Sequence, residues 1–76
     1  MSIAEDRGGL KVRGVKRNSP AARKGLREGD RILAANGQDL QSREALGRET
    51  LRAVERGSLL LVVQRGRYAY HLNFPL

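Results

Sequence analysis

Apolar and polar positions alternate most regularly near the end of the chain. In "RYAYHLNFPL", Tyr68, Tyr70, Leu72 and Phe74 fall on one face and Ala69, His71 and Asn73 on the other, the period of a strand. "SLLLVVQ" before it is apolar at odd and even positions alike, which predicts a central strand covered on both faces. Arg65-Gly66 joins the two as a hairpin. From Ser42 to Arg56 the period changes. At about 100° per residue Leu46, Thr50, Leu51 and Val54 share one sector, while Arg48, Arg52, Glu55 and Arg56 fall outside it. This predicts an amphipathic helix with that sector on the core, ended by Gly57, with Glu44 and Arg48 placed for an i,i+4 pair.

The front half is dense in turn signals. "GGLKVRGVKR" predicts a strand from Leu10 to Lys16. "NSPAARKGL" predicts a short helix over Ser19 to Lys24: Ser19 caps it, Pro20 suits the first helical position, and Gly25 ends it with Leu26 folding back on Ala21. A helix so short must dock on something. Gly29-Asp30 predicts a turn and Ile32 to Ala35 a short strand. Asn36-Gly37 is a two-residue hairpin signal, because both central positions of that turn need positive φ, and Gln38 to Leu40 is the return strand. The order is strand, short helix, strand, short strand, longer helix, strand, strand. That is an α+β fold, a small β-barrel or sandwich with two helices packed on it.

With 76 residues there is room for one core. Three aromatic residues make that core mostly aliphatic, and the absence of cysteine excludes disulfides and thiolate metal sites. No apolar run approaches the ~18 residues of a membrane span, so no direct membrane insertion is expected, and "MSIAEDRGG" lacks a signal-peptide pattern. The net charge is +7, and 12 of the 15 basic residues are Arg. These cations are spread along the chain and often alternate with acids, as in "REGDR". None lies in a basic stretch interleaved with aromatics for base stacking. The charge is read as a solubilising surface, and no nucleic-acid partner is expected.

Candidate catalytic chemistry is sparse. His71, the only histidine, sits on the polar face of its strand with no carboxylate nearby in sequence. Ser2, Ser19, Ser42 and Ser58 occupy terminus, cap or turn positions. The glycine spacings of a phosphate loop are absent. No enzyme activity, metal or cofactor is expected.

"VKRNSPAARKGLREGDRILAANGQDL" resembles the signature of a bacterial PDZ domain. Ser19-Pro20-Ala21-Ala22, Gly25-Leu26, Gly29-Asp30 and Asn36-Gly37 match that family's pattern in order and spacing. The resemblance covers roughly Gly9 to Phe74, and the short form resembles the compact PDZ domains of envelope proteases and secretion-system proteins. It implies peptide recognition: a peptide, often a C-terminus, added as a strand between a sheet edge and the longer helix. PDZ domains also often accompany a protease in the parent protein, and an envelope parent implies a periplasmic location. The family's Gly-Φ-Gly-Φ carboxylate loop has no counterpart here, since "RGGLKVRGV" runs straight into Ser-Pro-Ala-Ala. Residues 1–8 are read as an N-terminal extension or minimal groove strand, with Glu5 to Gly9 as its turn, and residues 9–76 as the PDZ-like domain. The expected groove residues are Ile3 and Ala4 on the strand side and Ala45, Leu46 and Glu49 on the helix side. The expected ligand is an extended internal segment or a partner protein's strand. The alternative is a structural or assembly domain that keeps the fold without a working groove.

Overall fold

The computed structural model describes residues 2–76; Met1, the first residue of the expected N-terminal segment, lies outside the described residues. The elements in chain order are β1 (Ser2–Asp6), β2 (Gly9–Gly14), α1 (Pro20–Arg23), β3 (Arg31–Ala35), β4 (Gln38–Asp39), α2 (Arg43–Arg56), β5 (Ser58–Arg65) and β6 (Tyr68–Pro75). The six strands form one antiparallel sheet in the order β1-β2-β3-β5-β6, with β4 paired to β3. One edge of β3 is divided between partners: Arg31 and Ile32 pair with β2, whereas Ala34 and Ala35 pair with β4. The fold is therefore a single mixed-partner sheet with two helices, rather than two separate sheets.

Local chemistry explains the elements. The Ser19 hydroxyl accepts from the Ala22 amide at 3.2 Å and Pro20 opens α1. The turn closes when the Gly25 amide donates to Ala22 C=O and the Leu26 amide to Ala21 C=O. Asn36 and Gly37 both have positive φ, 49° and 82°, as a twist-matched hairpin turn requires. The Asn36 side chain also accepts from the Leu60 amide at 2.9 Å, which ties that turn to β5. Ser42 caps α2, and Gly57 ends it at φ 85°, a conformation that a Cβ disfavours.

Several boundaries differ from those expected. β1 runs to Asp6, so its turn is Arg7-Gly8 and not Glu5 to Gly9. Asp6 sets that turn by accepting from the Gly8 amide and forming a two-pronged bond to the Arg31 guanidinium at 2.8 and 3.1 Å. The last hairpin turns at Gly66-Arg67, one residue later than expected, because Arg65 stays in the strand, bound to Asp30. β5 is central in the sheet, but only one face is fully covered: Leu59, Leu61 and Val63 are buried, whereas on the other face Val62 is half-buried and Leu60 is 39% exposed.

The core is aliphatic. Leu10, Val12, Ile32 and Val63 are almost fully buried, with Leu26, Ala35, Leu40, Ala53 and Leu61 around them. Each large side chain contributes roughly 1.5–3 kcal/mol. Leu72 and Phe74 of β6 pack against this cluster. Tyr68 and Tyr70, on the same face, run past it and are 68% and 41% exposed.

One buried charge stands out. Asp30 is 1% exposed. The Arg65 Nε and Nη2 atoms donate to its two oxygens at 2.8 and 2.7 Å, and the Arg27 amide donates to it at 2.9 Å. Arg65 also donates to Gly25 C=O and lies over the Tyr70 ring. The Arg65 guanidinium holds the Asp30 carboxyl below its ordinary value, against the opposing push of burial, and the Arg27 amide adds to the lowering. This cluster fastens the end of α1 and the turn before β3 to the β5–β6 hairpin.

Candidate peptide-binding groove

β1 is the first strand of the sheet order, and its outer edge is unpaired among the described residues. Along β1 the pairing alternates by face. Ile3 is opposite the core residue Val12 and Glu5 opposite Leu10, while Ala4 is opposite Lys11 on the other face. Ile3 and Glu5 therefore point to the side where α2 lies. The Glu5 carboxylate accepts from the Arg43 amide at 2.6 Å, so the edge strand caps the first turn of α2. The Ser42 hydroxyl accepts from the Ala45 amide in that same turn at 3.0 Å. Strand and helix are thereby joined at one end and leave an open channel beyond it.

That channel is a groove of about 500 Å³ lined by Ile3, Arg43, Leu46, Gly47, Thr50 and Leu51. Its surface is mainly apolar. The Thr50 hydroxyl is engaged within the helix, donating to Leu46 C=O at 2.8 Å. The Arg43 guanidinium is the one charge among these lining residues, at the helix end already joined to β1.

Of the residues expected at the groove, Ile3 and Leu46 line it. Ala4 lies on its edge strand with its side chain on the opposite face. Ala45 and Glu49 are placed elsewhere. Ala45 packs against the core, and Glu49 is 8% exposed, with its carboxylate 3.2 Å from Arg52 Nη1. The expected orientation of α2 is corrected by the same observation. Leu51 and Val54, expected in the core, are 72% and 61% exposed, whereas Ala53 is fully buried. α2 approaches the sheet on the flank of Ala45, Glu49 and Ala53, where a small side chain permits close packing. The apolar stripe that periodicity reveals is real, but three of its members, Leu46, Thr50 and Leu51, line the groove. Arg43, Gly47, Thr50 and Leu51 were missed as lining residues for that reason. The signal for two of them, Thr50 and Leu51, was the stripe itself.

The fold and the sequence point to one family. A family model described as PDZ domain matches residues 11–65. The structure is similar to that of the HtrA3 PDZ domain bound to a phage-derived ligand, FGRWV, with a TM-score of 0.78 and 33% identity. That match covers 88% of this chain and 58% of the HtrA3 chain, so the sequence spans little more than half of that relative's length. Two structures of the PDZ domain of EpsC from Vibrio cholerae share the fold at 20% and 21% identity, with TM-scores of 0.68 and 0.72. Each is matched over 99% of this chain, and over 74% and 92% of the EpsC chains. The Ser-Pro-Ala-Ala helix, the Asn-Gly hairpin, the edge strand beside the longer helix and the matched family model together identify the chain as a member of the PDZ domain family.

Proposed function

We propose that this domain is a non-catalytic binding module that takes an extended peptide, or a strand of a partner protein, onto the free edge of β1. The observation that carries this reading is the pairing of that edge with an apolar helix wall: Leu51 is 72% exposed and sits in the groove with Ile3 and Leu46. An added strand satisfies the unpaired N–H and C=O groups of β1, and every second side chain of the ligand enters the groove. The peptide held by the HtrA3 PDZ domain supports a peptide as the ligand class.

The chemistry of the lining narrows the ligand. Backbone pairing and apolar contact supply most of the affinity, because the Thr50 hydroxyl is already engaged. Arg43, at the Glu5 end of the groove, favours an acidic ligand side chain beside it. The ligand is an internal segment, and a terminal carboxylate adds little. The test is a titration of free-acid and amidated forms of one peptide selected from a random library. Equal affinities are expected. A preference of tenfold or more for the free acid, ~1.4 kcal/mol, would reveal a working carboxylate site. Recovery of no peptide at all would favour an assembly domain without a groove.

A further inference from the structure

The sheet has a second open edge. β6 closes the strand order, so β5 is its one strand neighbour among the described residues. α1 runs beside it. Pro20 and Ala21 share an apolar hollow of about 210 Å³ with Leu59, Leu61, Phe74 and Leu76. Lys24 and Gly25 border another hollow of about 210 Å³ with Val63, Tyr70, Leu72 and the Asp30–Arg65 pair. The two hollows make a trough between α1 and the β5–β6 hairpin, apolar at the Phe74 end and holding the Asp30–Arg65 pair at the Tyr70 end.

Charge separates the two grooves. From Arg7 to Arg27 the chain carries eight cations and no acid. Among the described residues the ion pairs use Arg31, Arg48, Arg52 and Arg65, and none of those eight. Lys16, Arg17, Arg23, Lys24 and Arg27 are concentrated in the turn before α1, on α1 or just after it. β6 and its turn add Arg67 and no acid.

We propose that the trough between α1 and β6 docks an extended acidic segment of a partner protein, added as a strand to the β6 edge. Its apolar side chains lie beside Tyr70, Leu72 and Phe74, and its carboxylates meet Lys24 and Arg23. A second copy of this chain is a poor occupant, since it would set Arg67 and the α1 cations against their own kind at +7 per chain. A lipid surface is disfavoured too: the apolar groups line a hollow, and the unpaired backbone groups of β6 find no hydrogen-bond partner in hydrocarbon.

The test uses the full chain, labelled with nitrogen-15, and two capped ten-residue peptides, one alternating Glu with Val and the other Lys with Val. The Glu–Val peptide is expected to shift the amides of Ala21, Lys24, Tyr70 and Leu72 saturably. Its affinity, read at those four amides, should fall about tenfold in Arg23→Glu/Lys24→Glu and in the same direction in Lys24→Ala. Arg23 and Lys24 are both exposed, so melting of these variants should match that of the parent. Shifts confined to Ile3, Leu46 and Leu51 would overturn the proposal, because the peptide would then use the first groove. Equal binding of the Lys–Val peptide or of inorganic polyphosphate would also overturn it. So would concentration-dependent shifts of β6 without any peptide, which would make a second copy the occupant.

Discussion

At the residue scale, two side chains with opposite environments make separable predictions. Leu51 is 72% exposed, so its replacement disturbs little packing, and surface substitutions of this kind change stability by about 0.5 kcal/mol or less. Leu51→Lys places a charge in the apolar wall. Peptide affinity is expected to drop at least about tenfold while the melting temperature stays put, as read by fluorescence anisotropy and a thermal scan of one sample. A variant that melts early, or that binds as before, would remove Leu51 from the groove wall. Arg65 behaves in the opposite way. Its removal leaves the Asp30 carboxylate, 1% exposed, without its counter-charge. Arg65→Met should cost about 2–3 kcal/mol, at the low end for such a pair because the Arg65 side chain is itself a third exposed. Adding Asp30→Asn should recover part of that loss, since no uncompensated charge then remains. Urea unfolding of the single and double variants measures both steps, and strict additivity would show that the two side chains do not act as a pair.

At the element scale, the groove depends on how β1 meets α2. The Glu5 carboxylate, accepting from the Arg43 amide at 2.6 Å, is a helix cap delivered from a neighbouring strand. Glu5→Ala removes it while the Ser42 cap remains. The expected cost is about 1 kcal/mol. The expected location is local: faster hydrogen exchange in β1 and the first turn of α2, with β5 unchanged. Uniformly faster exchange in every strand would mean that Glu5 supports the whole fold and not this junction. α2 also shows why an amphipathic pattern needs tertiary context. Periodicity identifies the stripe of Leu46, Thr50, Leu51 and Val54, but a stripe left open for a ligand and a stripe laid on a core have the same spacing.

At the scale of the whole molecule, charge and pH act together. Arg65, helped by the Arg27 amide and opposed by burial, lowers the Asp30 value; Arg31 and the Gly8 amide lower that of Asp6. A carboxyl whose value is lower folded than unfolded stabilises the fold above its unfolded value, near 3.8, and loses that contribution as pH falls through the lower folded value. Neutralising the other acids over the same range raises a net charge that is already +7. Stability should therefore be level between about pH 8 and pH 5 and fall below about pH 4. Asp30→Asn should soften that acid limb. Urea midpoints taken across the range check this, and an acid limb as steep in Asp30→Asn as in the parent would exclude Asp30 as a contributor.

The sequence by itself determined what depends on neighbours along the chain. Ser19 with Pro20, Asn36 with Gly37, Ser42 and Gly57 each carry their own backbone preference, so the short helix, the hairpin and both ends of α2 were legible before any packing was known. The same local devices carry the PDZ signature. The tertiary structure alone decided which surfaces meet. It turned Ala53 and Glu49 inward and Leu51 and Val54 outward, because the small Ala53 side chain allows α2 to close on the sheet along that flank. It extended β1 to Asp6, because Arg31, 25 residues away, holds that turn. It kept Arg65 in its strand, because Asp30, 35 residues away, is buried beside it. It also left Leu60 partly open and set α1 against the β5–β6 hairpin as one wall of a trough. Such pairings link residues far apart in sequence, and a local pattern contains no information about which distant side chain will supply a counter-charge or a contact.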